Sequence, residues 1–339
     1  MPSVKPAVRL FRKLEGLFAV YKPPGVHWKT VRDTIETNIL KAVDATPRPA
    51  PRRLVQFQAA LPSGQTTEST DLTVSVSALP ALSDHPLVTG PQFQKVRVGV
   101  GHCLDAFSSG VLVLGVGQGN TVLPNLYHAH VTRDYTLEGE FGTATDDFSH
   151  NGRIIERTTY DHITRDKLDR VLAMIQGTNQ KALIMYSKVD PQSQEAYELA
   201  VRGRLRPQDK SPPVLIGIRC ASFKPPHFTL EVQCVNETQR YLRRVLHEVG
   251  LELRSSAVCA AVRRTRDGPF RLEHALTRQH WNAADIMQAV AHYRPTTRKI
   301  KNSGFDSQSR MSTESQSPSR EPAQPISFLT AGGERQRAE

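Results

Sequence analysis

The sequence predicts an α+β domain whose strands form a mixed sheet. Short β-prone runs and longer amphipathic runs follow one another in irregular order, unlike the regular alternation of a parallel α/β chain. The chain has 339 residues, of which 38% are hydrophobic, so it is long enough to bury a sizeable core. The sequence contains no apolar run of about 18 residues, the length that a membrane-spanning helix needs.

Strands are expected where short runs of apolar, β-prone residues end at glycine or proline. These runs cover residues 17–22, 96–100, 111–116, 135–141, 214–223 and 228–235. Helices are expected where apolar side chains recur every three or four positions and therefore share one face. These patterns cover residues 27–43, 164–176, 239–253 and about 281–292.

A single domain is expected over residues 15–297, with an insertion inside it and a further segment at each end. Residues 1–14 are basic and contain no acid, as in a short mitochondrial presequence or an ordinary basic N-terminus. Residues 45–95 contain Pro/Arg-rich and Ser/Thr-rich stretches, which predict a loop-rich insertion. Residues 298–339 are rich in Ser, Gln, Pro and charge, which predicts a disordered tail.

The charge balance indicates a polyanionic partner. The formal net charge is +11, and residues 298–339 contribute only +2 of it, which leaves +9 on residues 1–297. Such an excess is typical of nucleic-acid-binding surfaces, although many proteins are basic without binding nucleic acid. The four cysteines form no CxxC pair, so neither a zinc site nor a disulfide framework is expected. Residues 115–120 lack the full spacing of a dinucleotide-binding glycine loop, so no nucleotide cofactor is expected either.

Asp105 is the main candidate for a chemical role. It lies in the run GHCLDAFSSGVL, on a short loop between two apolar strands, where a carboxylate is partly desolvated and rigidly held. Such a carboxylate can serve as a nucleophile or a base. The alternative is an aspartate that only caps the loop, which is a common use of this residue.

Arginines dominate a later segment of the chain. Residues 239–266 contain seven arginines and two acids, and Arg243, Arg263 and Arg264 are the arginines of interest, with Tyr241 beside the first of them. A guanidinium can bind phosphates or pair with a buried carboxylate. A solvated basic face without function is the alternative.

Two further segments carry weaker signals. Tyr135 opens a strand, where it could stack on a nucleobase or simply pack against the core. The run Lys22-Pro23-Pro24-Gly25 ends another strand and predicts a rigid turn with close backbone approach, or an ordinary turn.

Taken together and in order, these segments resemble the TruB family of RNA pseudouridine synthases. The likeness runs from about residue 16 to residue 270 and is strongest to the vertebrate mitochondrial branch. Five ordered blocks carry it: GLFAVYKPPG, GHCLDAFSSGVLVLGVG, RDYTLEGEFGTATDDFSHNGRI, YSKVDPQSQEAYELAVRG and FTLEVQCVNETQRYLRRVLHEVGLELRSSAVCAAVRRTRDGPF. The resemblance implies the pseudouridine-synthase fold, a mixed but mostly antiparallel sheet with flanking helices and a central RNA-binding cleft. It also implies an enzyme that needs no cofactor.

The resemblance also assigns roles to individual residues. Asp105 matches the catalytic aspartate, Tyr135 the tyrosine that stacks on the target uracil, and Arg243 the arginine that pairs with the aspartate. Lys22 and Pro23 match the first family motif, which holds the active-site loop.

The remaining candidates bear on the RNA substrate. His102 matches a histidine that helps to hold the flipped-out RNA. Tyr241, Arg263 and Arg264 are the other predicted substrate-binding residues. The expected substrate is a mitochondrial mRNA, tRNA or rRNA in the mitochondrial matrix, with a mitochondrial RNA-processing or ribosome-assembly module as an expected protein partner.

Several departures from the family pattern keep a second function open. Two residues separate His102 from Asp105 where the family usually has four, and about 45 extra residues separate the first two motifs. The family's C-terminal RNA-binding domain, called PUA, has no visible counterpart in the predicted tail. The alternative is therefore a weakly active or non-catalytic RNA-binding protein that acts in mitochondrial ribosomal RNA stability or ribosome assembly.

Overall fold

The computed structural model describes residues 6–60, 73–187, 189–203, 205–207 and 211–311. Eight strands form one mixed sheet, and two smaller two-stranded sheets lie beside it. Helices pack on the large sheet, so the predicted α+β class is confirmed. In these described ranges, no helix has the length and hydropathy needed to cross a membrane.

The strands of the described ranges are β1 (Gly16–Lys22), β2 (Arg53–Ala60), β3 (Thr73–Pro80), β4 (Val98–Val100), β5 (Ser109–Val116), β6 (Arg133–Phe141), β7 (Thr143–Thr145), β8 (Ile154–Arg157), β9 (Val214–Lys224), β10 (His227–Val235), β11 (Ala257–Asp267) and β12 (Phe270–Arg271). The helices are α1 (Pro6–Leu14), α2 (Trp28–Asp44), α3 (Pro86–Thr89), α4 (Gly119–His128), α5 (Arg165–Ser187), α6 (Gln194–Val201), α7 (Gln239–Glu252) and α8 (Ala283–Met311). Each of the ten elements predicted above overlaps one of these.

The large sheet has the strand order β1-β5-β11-β6-β10-β9, with β4 also paired to β5 and β12 to β11. Strand β11 pairs with β5 in parallel and with β6 antiparallel, whereas the other described pairings of this sheet are antiparallel. The prediction of a mixed, mostly antiparallel sheet is therefore confirmed. Because β11 joins the two halves, it brings the ends of β5 and β6 together.

Apolar side chains from both faces of the sheet form three core clusters. One lies between β6, β9 and β10 and the helices α5 and α7, and it includes Leu242, Val245, Leu246 and Val249 on the apolar face of α7. A second lies between β1, β5, α1, α2 and α8, and a third lies under α4. Burying one such aliphatic side chain stabilises the fold by about 1.5–3 kcal/mol, so these clusters hold α7 firmly against the sheet.

Strand β11 was not predicted, because four of its eleven positions carry arginine or aspartate and its alternation is therefore hidden. It forms because both of its edges find a partner strand, which satisfies its backbone groups whatever its side chains. Burial alternates along part of this strand: Val262 and Arg264 are buried, and Arg263 between them is exposed.

The structure describes parts of the predicted insertion, of the possible presequence and of the predicted tail. Residues 53–60 and 73–80 of the predicted insertion pair as the hairpin β2–β3, so this part is regular, while residues 61–72 lie outside the described ranges. Helix α1 covers most of the predicted presequence, and its Ala7 and Leu14 are buried in the second core cluster. Helix α8 continues to Met311, past the predicted tail boundary at residue 298, and residues 312–339 lie outside the described ranges.

Candidate active site

Asp105 lies on the loop between β4 and β5, called here the aspartate loop (residues 101–108). Its Oδ1 accepts a hydrogen bond from the backbone N–H of Ser108 at 2.8 Å. Its Oδ2 accepts one from Nη1 of Arg243 at 2.6 Å. The Asp105 side chain is 35% exposed and that of Arg243 is 13% exposed, so the carboxylate remains open on one side.

The surroundings of Asp105 favour its ionised form. Burial opposes ionisation, but the hydrogen bonds from Ser108 and Arg243 outweigh it and hold the pKa of the Asp105 carboxyl below its ordinary value. The carboxylate is therefore charged at neutral pH and carries lone pairs on its exposed side.

Arg243 reaches the aspartate from the first turns of α7. Thr238 is the N-cap residue of this helix, and its side chain accepts a hydrogen bond from the Tyr241 N–H. The Arg243 guanidinium lies over the ring of Phe107, with Cζ 5.4 Å from the ring centroid. Its Nε is buried and has no hydrogen-bond partner among the described residues, so one donor at the site is unused.

Lys22, at the end of β1, holds the aspartate loop from below. The side chain is fully buried, and its Nζ donates to the carbonyls of Pro23 at 3.0 Å, Ala106 at 3.2 Å and Ser108 at 2.5 Å. The Gly25 N–H also donates to the Ala106 carbonyl, at 2.8 Å, from a turn in which Gly25 has a φ of 76°. Burial lowers the pKa of Lys22 to about 8, although the charge of Asp105 opposes this shift. The first motif and the aspartate loop thus form one unit.

Tyr135 lies beneath the site and is almost wholly buried, with 1% of its surface exposed. Its hydroxyl donates to Oε1 of Glu237 at 2.7 Å, and Nη1 of Arg133 donates to the same oxygen at 3.3 Å. Burial raises the pKa of Tyr135 well above its ordinary value, so the phenol stays protonated. In this conformation the ring has no free face for a nucleobase, and stacking would require neighbouring side chains to move.

Arg264 is also fully buried, and its guanidinium holds the start of the aspartate loop. Its Nε donates to the Val111 carbonyl and its Nη2 to the His102 carbonyl, both at 2.7 Å, while Nη1 lies 3.0 Å from Nδ1 of His102. Burial and the charges of Arg133 and Arg264 lower the pKa of His102 to about 2. The imidazole is therefore neutral, and its Nδ1 can accept the hydrogen bond from Arg264.

Asp267 closes a buried charge network, defined here as Arg133, Glu237, Arg264 and Asp267. Nε of Arg133 donates to Oδ1 of Asp267 at 3.0 Å, and Nη1 of Arg264 lies 3.6 Å from Oδ2. Two guanidinium groups and two carboxylates balance each other, which makes their burial tolerable. Sequence reasoning missed Glu237 and Asp267, because they lie 104 and 134 residues from their partner Arg133.

The structure separates the remaining predicted substrate-binding residues. Arg263 is exposed, so it is free to meet an external phosphate. Arg264 is fully buried and bonded within the protein, so its predicted contact with substrate is corrected to an internal structural role. Tyr241 packs against the first core cluster. It lies two residues before Arg243 on α7, so its side chain points about 200° away from that of Arg243.

We expect Arg264→Gln to lower the free energy of unfolding by about 3–5 kcal/mol, because it leaves two buried carboxylates, Glu237 and Asp267, against the single guanidinium of Arg133. Arg263→Gln is the matched control in the next position of the same strand. Its side chain is exposed, so the expected change is within about 0.5 kcal/mol. Urea unfolding of both variants measures the difference, and similar small losses would contradict the structural role of Arg264.

Residues 91–240, which include the aspartate loop, match the profile of the TruB family pseudouridylate synthase, N-terminal domain. The chain is 56% identical over 298 residues to pseudouridylate synthase TRUB2, mitochondrial, of Xenopus tropicalis, covering 88% of this chain and 91% of that protein. It is 55% identical over 278 residues to the Homo sapiens protein of the same name, covering 82% of this chain and 83% of that protein.

Among solved structures, a chain of an H/ACA RNP bound to a substrate RNA containing 2′-deoxyuridine is similar over 81% of this chain and 54% of its own length. The TM-score is 0.44 and the sequence identity is 16%. The two TRUB2 relatives align with most of this chain and of their own length, at more than half identity. The chain therefore belongs to the TruB family of pseudouridylate synthases.

Proposed function

We propose that this enzyme converts uridine to pseudouridine in mitochondrial RNA with Asp105 as its catalytic carboxylate. The observation that carries the proposal is the ionised carboxylate itself, held by Ser108 and Arg243 on one side and open on the other. The exposed side of Asp105 would form the floor of the RNA-binding cleft.

The reaction is an isomerisation and needs no external oxidant or reductant. The N1–C1′ bond of uridine breaks, the base rotates, and a C5–C1′ bond forms. The proton on C5 is lost and N1 gains one, so atoms and electrons balance. An ionised carboxylate can attack the ribose or the base covalently, or it can remove a ribose proton. Each of them requires the charged form that the surroundings of Asp105 favour.

Other residues support the carboxylate in this proposal. Arg243 keeps Asp105 ionised through its hydrogen bond to Oδ2. Lys22 fixes the loop that carries Asp105. Taking the target uridine out of the RNA stack costs a few kcal/mol, and stacking on Tyr135 would return about 1–3 kcal/mol after the pocket opens.

The mitochondrial part of the proposal is supported by the relatives, whose names place them in mitochondria. The matrix is the compartment we propose, with mRNA, tRNA or rRNA made there as substrate. The excess of +9 on residues 1–297 fits a polyanionic substrate. A mitochondrial RNA-processing or ribosome-assembly module is the protein partner we propose. The alternative function is that of a weakly active or non-catalytic RNA-binding protein in mitochondrial ribosomal RNA stability or ribosome assembly.

The direct test uses RNA transcribed with uridine that carries tritium on C5. Because the C5 proton leaves when pseudouridine forms, tritium release counts turnovers. We expect release from mitochondrial transcripts, and loss of specific pseudouridines from mitochondrial RNA maps when the protein is removed from cells. Binding of such transcripts without tritium release, together with unchanged maps, would favour the non-catalytic alternative.

A further inference from the structure

A second positively charged site lies away from Asp105, where α1, α4 and α8 meet. A cavity of about 300 Å³ is lined there by Arg12 at the end of α1 and by Arg294 and Arg298 on α8. Glu15 is the one acid in its lining. None of the three arginine side chains forms a hydrogen bond or ion pair with another described residue, so all three guanidinium groups are available to a ligand.

The fold brings these charges together at some cost. Arg294 and Arg298 are one turn apart on α8, and like charges at this spacing repel each other. The floor of the cavity is backbone, since β1 and α4 approach so closely at Gly16 and Gly119 that a side chain on Gly119 would collide with the Gly16 carbonyl. A bound anion would relieve the repulsion, and the small floor residues leave room for it.

The first turn of α4 adds to the positive potential. This helix begins at Gly119, has no acidic residue in its first turn, and its N-cap residue Gln118 makes no side-chain capping bond. Both residues line the cavity. The partial positive charge of the helix N-terminus therefore adds to the three guanidinium charges.

We infer that this arginine cavity (Arg12, Arg294 and Arg298) binds phosphodiester groups of the RNA substrate at a distance from the target uridine. The inference rests on the proposed function and extends it with a second contact surface. Guanidinium groups match phosphate geometry, and phosphate contacts set the register of a nucleic acid without reading its sequence.

The position of the cavity defines which part of the RNA it contacts. Strand β1 runs from Gly16, beside the cavity, to Lys22, which holds the aspartate loop. At about 3.3 Å per residue, the strand spans about 20 Å between the two sites. The cavity therefore meets a bound RNA several nucleotides away from the target uridine.

The test compares two RNAs with the same central uridine, one of about five nucleotides and one of about twenty. We expect Arg12→Gln/Arg294→Gln/Arg298→Gln to weaken binding of the long RNA about tenfold at moderate salt and to lower its salt slope by about two. The KM for the long RNA should rise with kcat unchanged, and the short RNA should be unaffected. Glu15→Gln, which removes the acid from the cavity, should tighten binding of the long RNA.

A matched variant controls for net charge. Arg157→Gln/Arg170→Gln/Lys224→Gln also removes three exposed charges, on β8, α5 and β9 in the other half of the molecule. It should leave long-RNA binding near the wild-type value. Equal losses in both triple variants, or equal losses on short and long RNA, would overturn the proposal.

Two further measurements distinguish RNA binding in this cavity from binding of small phosphates and from a failure of the pseudouridine proposal. If inorganic phosphate raises the melting temperature of the wild type but the arginine variant binds long RNA normally, the cavity takes small phosphates and the RNA proposal is wrong. Affinities come from fluorescence anisotropy and need no turnover. A failure of the pseudouridine proposal would therefore appear as absent tritium release with the length-dependent binding intact.

Discussion

Asp105→Asn is expected to abolish nearly all isomerisation while the protein stays folded and binds RNA. The amide keeps the shape of the side chain and an oxygen that can accept from the Ser108 N–H. It cannot act as a nucleophile or base, so we expect turnover to fall at least about a thousandfold, equivalent to about 4 kcal/mol in the activation barrier. Tritium release under single-turnover conditions measures this loss.

The same variant should bind RNA as well as the wild type, or slightly better, because a negative charge near the phosphates is removed. Its free energy of unfolding should fall by about 1–2 kcal/mol, since Arg243 loses its partner in a site that is only partly buried. Asp166→Asn, an exposed change in the first turn of α5, is the matched control and should leave turnover unchanged. An Asp105→Asn protein with near wild-type turnover would remove the aspartate from the mechanism.

Arg243→Gln is expected to have the next largest effect. Without the guanidinium, burial of Asp105 is opposed only by the Ser108 hydrogen bond, so the pKa of the carboxyl rises. We expect kcat/KM at neutral pH to fall about a hundredfold, or about 2.7 kcal/mol. Arg243→Lys should recover part of the loss, because an ammonium supplies the charge but not the planar geometry.

The pH dependence distinguishes a changed pKa of Asp105 from a loss of activity through misfolding. In the wild type the pKa of Asp105 lies below its ordinary value, so activity is present above that pKa and is lost only when the pH falls through it. In Arg243→Gln the carboxyl takes up its proton at higher pH. The acid limb of the pH–rate profile should therefore move towards neutral pH, with the plateau also reduced.

The neighbouring Arg244 is the natural control for this experiment. Its Nε pairs with Glu248 at 2.9 Å on the exposed side of α7, and 64% of its side chain is exposed. Arg244→Gln should keep the wild-type rate and pH profile, because exposed pairs of this kind contribute little. If Arg243→Gln kept the wild-type acid limb, the ion pair would have no part in tuning Asp105.

Local patterns in the sequence were sufficient for most of the core elements. The apolar run of β1, the strands around the aspartate loop and the amphipathic face of α7 all follow from spacing within a few residues, and each was confirmed. Strand β11, which was missed, had no such pattern. Strand β11 carries arginines at alternate and adjacent positions, and its strand form depends on β5 and β6 on either side.

The sequence also predicted part of the candidate site. Sequence reasoning named Asp105, Arg243 and Lys22. The structure pairs Asp105 with Arg243 and bonds Lys22 to the loop that carries Asp105, and their catalytic roles stay predictions. It expected Tyr135 to be accessible for stacking, whereas the structure buries that ring against Glu237. Nothing local distinguishes a tyrosine that faces a cleft from one that lies beneath it.

The sequence alone determined the fold class, the positions of most strands and helices, and the aspartate loop, because these depend on hydrophobic period and turn residues that lie close together in the chain. Only the tertiary structure decided which charged residues face solvent and which are internal. Arg263 and Arg264 are adjacent and identical, yet one is exposed and the other is fully buried. A buried charge is stable only where partners from distant segments neutralise it, and for Arg264 these are the aspartate loop and Asp267.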